Sequence, residues 1–143
     1  MIDHHSKSGD LFENAKVTIE QIGAVCTIIA EYFKKYDIEI SRESAILLYY
    51  GIVSNTVNFA SSVTTKRDKE MANWLSEKCS EVYKSLVSKI FLEKSKVDLK
   101  NLRAIMEVDE KFSLGDDEVI IGQLEIVNAH EFLVMNKNIL MIF

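Results

Sequence analysis

The segment from Ala45 to Val53 is the longest unbroken apolar run in this 143-residue chain. Ser41 precedes it and is a common helix N-cap residue, so the sequence predicts a helix from Arg42 to about Val53. The bulk of its apolar surface comes from Ala45, Ile46, Leu47, Leu48, Tyr49 and Tyr50. A helix that is apolar on nearly every face requires neighbours on all sides, and we therefore expect it to be central and buried.

Composition restricts the class of protein. Hydrophobic residues make up 48% of the chain and charged residues 27%, with a net charge of −5, which is typical of a soluble globular protein. The basic residues form no stripe, so we expect no nucleic-acid partner. The apolar run is too short to span a bilayer and no signal peptide precedes it, which predicts a cytoplasmic protein without a membrane partner. Cys26 and Cys79 lack the spacing of a zinc site and are interpreted as reduced, buried thiols.

Two further helices are indicated by apolar residues at helical spacing. The first is predicted from Glu20 to Tyr36, with its apolar positions at Ile22, Val25, Cys26, Ile29 and Phe33. The second begins at Thr65, and Asp68 three positions later forms a variant of the capping box. Its apolar face continues to about Leu92, with room for a break along the way.

The pattern changes in the last third of the chain. The polar stretch from Lys94 to Asp98 is a candidate domain boundary, and Asp98 is a candidate cap for a short helix ending at Ile105. Residues 111–114 and 119–127 read as two strands of a hairpin around a Gly-Asp-Asp turn. The stretch from Glu131 to Phe143 is ambiguous between strand and helix. It ends on an apolar run, from which we expect a fragment or a chain that needs a partner.

Asp3, His4 and His5 form an acidic and imidazole triplet close to the N-terminus. These residue types hold divalent metals or phosphate, although three consecutive residues supply too few ligands for such a site. Neighbouring side chains on a strand point to opposite faces, which suits one histidine on a metal and the other on a substrate. A solvated chain end is the alternative interpretation.

Several short motifs follow the triplet in a characteristic order. They are Ile22-Gly23 leading into Thr27–Glu31, Tyr50–Thr56 with Phe59, Thr64–Asp68, Asp109–Phe112 and Ile121–Glu125. Together with the triplet they resemble the DHH phosphoesterases, and within these the manganese-dependent, family II inorganic pyrophosphatases. The resemblance covers nearly the whole chain at consistent order and spacing.

The resemblance implies an α/β fold in two parts. Residues 1–93 would be the C-terminal part of a DHH phosphoesterase domain, mainly its helical back half. Residues 94–143 would be the N-terminal part of the DHH-associated second domain, which is α+β. Most of the parallel sheet of the first domain would come from sequence that precedes these 143 residues.

The resemblance also implies roles for individual residues. His4 matches a metal-ligating histidine, and His5 matches the histidine that contacts the phosphate or the attacking water. Asp3 matches the acid beside them, which is expected to orient an imidazole. Asn55 occupies the position of a ligating aspartate. Lys111 matches a lysine that the second domain contributes to the phosphate, although by itself it also reads as a solvated strand residue.

The implied activity is hydrolysis of inorganic pyrophosphate with Mn²⁺ or Mg²⁺ as cofactor, in which paired metal ions generate hydroxide from a bridging water. An alternative is an exopolyphosphatase-like enzyme acting on short polyphosphate. A second alternative, from a different class, is a non-catalytic truncated or diverged phosphoesterase module.

Four departures from the family pattern predict impaired activity. The family's N-terminal metal-binding motifs and a late basic pair are not among the 143 residues. Asn55 in place of an aspartate removes one negative charge from the metal position. Ala24 replaces a serine that follows Gly23 in the family. Such departures are expected of a fragment, of a diverged paralogue or of a decayed gene. A complementing N-terminal segment or a homodimer is the expected protein partner.

Overall fold

The computed structural model describes residues 1–4, 14–79, 82–97, 99, 111–114, 117–120 and 124–140. The chain divides into two compact units, Met1–Val87 and Ser88–Phe143. The predicted domain boundary between residues 93 and 94 stays a prediction. The short helix predicted after Asp98 lies, apart from Leu99, outside the described residues.

The first unit contains two short strands that pair in parallel. β1 (Ile2–Asp3) lies beside β2 (Thr18–Ile19), with Ile2 opposite Thr18 and Asp3 opposite Ile19. The pairing is extended by hydrogen bonds from Thr18 N to Met1 O (2.9 Å) and from Glu20 N to Asp3 O (3.2 Å). Parallel strands require a long connection between them, which is the pairing found in α/β folds.

Three helices of the first unit pack against one another. They are α1 (Val25–Lys35), α2 (Arg42–Asn55) and α3 (Lys66–Ser76). Their shared core consists of Ala24, Ala30, Ala45, Ile52, Met71, Ala72 and Leu75. The many small residues in this set allow the helix backbones to approach closely, and burial of the larger ones supplies the hydrophobic stabilisation.

The prediction for α2 is confirmed at its start and wrong about its surroundings. The helix begins at Arg42, and the hydroxyl of the N-cap Ser41 accepts a hydrogen bond from Ser44 N at 3.1 Å. Leu47, however, is 70% exposed. The helix is therefore not buried on every side within this unit, because α1 and α3 do not cover the face that carries Leu47.

The other two predicted helices also differ in detail. α1 begins at Val25, five residues later than predicted, because Ile22 and Gly23 lie in a bend before the helix. The capping box of α3 is confirmed, with Thr65 and Asp68 each bonding the other's backbone. The break along the following apolar face is also confirmed, since a separate helix, α4 (Val82–Lys94), follows α3 and contains the boundary between the units.

The second unit contains the predicted hairpin. β3 (Lys111–Leu114) pairs antiparallel with β4 (Asp117–Ile120), and Leu114 lies opposite Asp117. The second strand begins two residues earlier than predicted, and residues 124–127 are not in a strand. The ambiguous stretch is helical where it is described, as α5 (Ala129–Met135) and α6 (Lys137–Leu140). The described fold is thus mainly helical with a few short strands. None of its described helices is long and apolar enough to cross a membrane.

Gly51 marks a close approach of α2 to α1. A Cβ atom at this position would overlap the Cys26 side chain, whose Cβ would lie 3.1 Å away and whose Sγ would lie closer still. We expect Gly51→Ala to lower the free energy of unfolding by about 1–3 kcal/mol through overpacking, although alanine favours a helix over glycine. Urea denaturation monitored by circular dichroism measures this change.

The control is Leu47→Ala on the exposed face of the same helix, which should change stability far less. Cys26→Ala combined with Gly51→Ala should recover part of the loss. Equal stability of Gly51→Ala and the native chain would contradict the close packing.

Candidate functional site

His4 lies directly after β1, and both of its ring nitrogens face a hydrogen-bonding group. Nδ1 is 3.2 Å from the carbonyl oxygen of Ile22, and Nε2 is 3.3 Å from Nδ2 of Asn55. A carbonyl oxygen only accepts, so Nδ1 carries the proton of the neutral ring. Nε2 is then unprotonated, and its lone pair points toward Asn55. A neutral ring with an unprotonated nitrogen is the form of histidine that binds a metal.

The structure brings three of the predicted site residues together. Asn55 is the last residue of α2 and lies beside His4, and the Asp3 carboxylate accepts a hydrogen bond from the backbone N–H of His4 at 2.7 Å. His5 lies outside the described residues. Lys111 begins β3 in the second unit. The roles of all five residues stay predictions.

The chain turns sharply immediately after Asn55. Val57, Asn58 and Phe59 are consecutive residues in the left-handed region, with φ of 49°, 52° and 66°. Thr56 supports the turn, because its hydroxyl donates to Ile52 O at 2.7 Å and accepts from Phe59 N at 3.2 Å. Left-handed backbone is unfavourable for residues with a Cβ, particularly β-branched ones. Strain of this kind is concentrated at functional sites, and here it ends α2 at Asn55.

Asn58→Ala tests the strained turn. Asparagine tolerates the left-handed region better than alanine does, so this exposed substitution should lower the free energy of unfolding by about 1 kcal/mol. Asn73→Ala is the matched control, since Asn73 is exposed within α3 and alanine favours a helix. Chemical denaturation should therefore show opposite signs for the two variants, and the same sign for both would contradict the assigned backbone.

Asp68 is a buried carboxylate close to the candidate site. It is 0% exposed and accepts four hydrogen bonds, from Gly23 N (3.1 Å), Thr27 Oγ1 (2.5 Å), Thr65 N (2.7 Å) and Thr65 Oγ1 (2.7 Å). Burial alone raises the pKa of this carboxyl group, but the hydrogen bonds from Thr27, Thr65 and Gly23 outweigh it and hold the pKa below its ordinary value. Asp68 is therefore ionised at neutral pH.

Gly23 is required beside this carboxylate. A Cβ atom on Gly23 would lie 2.7 Å from Asp68 Oδ2 and 2.8 Å from Thr56 Cγ2. Sequence reasoning identified Asp68 only as the capping partner of Thr65 and missed its bond to Gly23. The available signal was that Gly23 and Asp68 both belong to the motifs that carry the family resemblance.

The lowered pKa of Asp68 predicts acid sensitivity. The ionised carboxylate contributes stability that is complete above the ordinary aspartate pKa of about 3.9. It is lost as the pH falls from there through the lower pKa of the folded state. Asp68→Asn should be less stable at pH 7 by about 1–3 kcal/mol, and its stability should fall less between pH 5 and pH 3.

Urea denaturation across this pH range measures both effects. Glu77→Gln, at an exposed carboxylate, is the control and should keep the acid sensitivity of the native chain. An equal loss of stability on acidification in Asp68→Asn and the native chain would show that Asp68 is not the group responsible.

The donors near His4 fit one side of a metal site. An unprotonated imidazole nitrogen and an amide oxygen are both suitable ligands for Mn²⁺. Across the described ranges from residue 1 to residue 140, no three histidine, cysteine, aspartate or glutamate side chains converge on a common point that could hold a metal. The candidate ligands are His4 Nε2 and the side-chain oxygen of Asn55, but the Asn55 atom that faces Nε2 is Nδ2, so the amide group would have to turn over before its oxygen could reach a shared ion.

Sequence and structure comparisons find the same kind of protein. The chain is 31% identical over 143 residues to the manganese-dependent inorganic pyrophosphatase of Methanothrix thermoacetophila, a match that covers 98% of this chain and 46% of that protein. It is 32% identical over 141 residues to the manganese-dependent inorganic pyrophosphatase of Methanocaldococcus jannaschii, covering 92% of this chain and 46% of that protein. No protein-family model matches the chain.

A solved structure from Methanococcus jannaschii, assigned to the family II inorganic pyrophosphatases, is similar with a TM-score of 0.73 and 29% identity. This match covers 99% of the present chain and 50% of the other. The chain is a relative of the family II inorganic pyrophosphatases. The resemblance predicted from the sequence is confirmed. The chain spans less than half the length of the curated pyrophosphatases it matches, with shares of 23% and 46% in the first two.

Proposed function

We propose that this chain supplies part of the active site of a manganese-dependent inorganic pyrophosphatase. The observation that carries the proposal is the environment of His4, whose Nδ1 faces the Ile22 carbonyl while Nε2 faces Asn55. This arrangement holds the ring in the tautomer that a metal needs. It occurs in a chain that is similar over 98% of its length to a manganese-dependent pyrophosphatase.

In this proposal His4 Nε2 and the side-chain oxygen of Asn55 hold a Mn²⁺ ion. Bound Mn²⁺ or Mg²⁺ lowers the pKa of a coordinated water and neutralises charge on the phosphoryl oxygens. Asp3 fixes the backbone of His4 through its 2.7 Å hydrogen bond. His5 contacts the phosphate or the attacking water, and Lys111 approaches the phosphate from the second domain. The substrate is pyrophosphate, with short polyphosphate as the exopolyphosphatase-like alternative.

The finer domain assignment belongs to the same proposal. Residues 1–93 form the C-terminal part of a DHH phosphoesterase domain, and residues 94–143 begin its associated second domain. The parallel pairing of β1 with β2 supports an α/β first domain. The mixture of hairpin and helix in the second unit supports an α+β second domain.

Asn55 favours a second candidate function. An amide oxygen carries no formal charge, so it attracts a divalent cation less than the aspartate that the family pattern has here. A non-catalytic phosphoesterase module would tolerate this loss. An active enzyme would need further ligands, from a complementing N-terminal segment or from a second copy of the chain.

The two candidate donors predict weak metal binding by the 143-residue chain. Two neutral ligands fall short of the six or so donors that Mn²⁺ prefers. We expect Mn²⁺ titration calorimetry to show weak binding, and a phosphate-release assay to show negligible pyrophosphate hydrolysis. Mn²⁺-dependent turnover that is abolished by His4→Ala would contradict this prediction.

Asn55→Asp separates an impaired enzyme from a non-catalytic module. The test uses the chain completed by the N-terminal segment of a relative, added as a separate peptide or fused to it. An aspartate beside His4 should tighten Mn²⁺ binding in that protein by about 1–3 kcal/mol, the range for a charge-assisted contact. In the uncompleted chain it should change little. Unchanged or weaker Mn²⁺ binding and hydrolysis in the completed protein would show that residue 55 is not a ligand.

A further inference from the structure

We propose that Asp68 is a positioning residue for His4, and that it acts through the single peptide group that joins Ile22 to Gly23. This inference rests on the proposed function, because it assigns His4 as the metal-binding imidazole. It adds a group that does not itself touch the metal or the substrate. The connection runs from the Asp68 carboxylate through one backbone amide to the His4 ring.

Both ends of the Ile22–Gly23 peptide group are used. Its N–H donates to Asp68 Oδ2 at 3.1 Å, and its carbonyl oxygen lies 3.2 Å from His4 Nδ1. The described chain has no cis peptide bond, so the N–H and the C=O of this group point in opposite directions. The Asp68 carboxylate and the His4 imidazole therefore lie at opposite ends of one planar, rigid peptide group.

The chemistry of the two ends is complementary. A carboxylate that accepts the N–H polarises the amide and increases the negative charge on its carbonyl oxygen. That oxygen becomes a better acceptor for the Nδ1–H of His4. A stronger bond at Nδ1 favours the tautomer in which Nε2 carries no proton, which is the form of the ring that can bind a metal. Carboxylates that contact a metal-bound histidine directly act in the same sense, and here one peptide group is interposed.

The position of Asp68 is itself fixed on several sides. Thr27 from α1 donates to Oδ1, while the backbone and the hydroxyl of Thr65 both donate to Oδ2. The capping box of α3 needs only the contacts between Thr65 and Asp68. The bond to Gly23, 45 residues away in sequence, is additional and places the carboxylate at the Ile22–Gly23 peptide.

Asn55 offers a competing explanation for the orientation of the ring. Its Nδ2 lies 3.3 Å from His4 Nε2 and would favour the same tautomer by donating to that nitrogen. The two explanations differ in which substitution releases the ring. If the Ile22–Gly23 peptide group fixes the tautomer of His4, Asp68→Asn should allow the other tautomer. If the Asn55 amide fixes it, Asn55→Ala should do so instead.

The experiment records the ¹⁵N resonances of the His4 ring in the metal-free 143-residue chain, assigned with His4→Gln, at a pH where the ring is neutral. The native chain should show predominantly the Nδ1–H tautomer. Asp68→Asn keeps the size of the side chain but replaces one acceptor oxygen with an NH₂ group, so we expect both tautomers to be populated. Thr27→Val removes a different hydrogen bond of Asp68 and is the matched control, and both it and Asn55→Ala should keep the native tautomer.

A native tautomer ratio in folded Asp68→Asn would overturn the proposal, and so would loss of the Nδ1–H tautomer in Asn55→Ala. If Asp68→Asn is unfolded in buffer, the spectra are recorded in trimethylamine N-oxide, which favours the compact state.

A second readout is the affinity for Mn²⁺, followed by water-proton relaxation, in the chain completed by the N-terminal segment of a relative. Asp68→Asn should bind Mn²⁺ about 10–100-fold more weakly than Thr27→Val, the range for loss of a group that supports a metal ligand. Equal affinity in these two variants would overturn the proposal. If Mn²⁺ does not bind at His4 in the completed chain but the tautomers respond as expected, the proposed function fails and the positioning role of Asp68 stands.

Discussion

The buried Asp68 carboxylate is the interaction on which the first unit depends. It joins the bend at Gly23, the first turn of α1 at Thr27 and the N-cap of α3 at Thr65. These donors come from two stretches of chain, residues 23–27 and Thr65, which are far apart in sequence and bind the same side chain. A buried charge is stable only when such donors replace the water it has lost. The arrangement therefore specifies where the bend before α1 must lie, and that bend presents the Ile22 carbonyl to His4.

Arg67, the neighbour of Asp68 in α3, connects the same elements at the surface. Its guanidinium forms a two-pronged ion pair with Glu31 of α1 and bonds Glu20, which follows β2, at 2.6 Å. Arg67 is 41% exposed, so water and salt screen these pairs more than they screen Asp68. We conclude that Arg67 supports the docking of α3 on α1, while Asp68 determines the local geometry near His4.

Local features of the fold were predictable from the sequence. Ser41 as an N-cap, the Thr65–Asp68 capping box and the start of the hairpin at Lys111 each depend on residues a few positions apart. Features that depend on distant contacts were not. Ile22 matches helical periodicity, yet the bond from Gly23 to Asp68 keeps it outside α1. Leu47 belongs to an apolar run, and periodicity does not show which face of such a helix its neighbours leave open.

The same distinction between predictable and unpredictable features applies to the candidate site. The pairing of His4 with Asn55, 51 residues apart, followed from the ordered family motifs and not from periodicity or composition. The contact between the Ile22 carbonyl and His4 was not predicted, because every residue has a backbone carbonyl and the sequence does not show which of them faces a given side chain. The left-handed turn at Val57–Phe59 was missed as well, since only Asn58 is a residue type that tolerates positive φ.

The most direct test of this account is native-state hydrogen exchange at the Gly23 amide. If Asp68 holds that N–H inside the first unit, exchange requires an opening close to global unfolding, and Gly23 should be protected as strongly as Ile28 in the buried part of α1. Exchange at the rate of an unstructured peptide, while Ile28 stays protected, would show that the bond between Gly23 and Asp68 does not hold the bend. The link from Asp68 to His4 would then be lost.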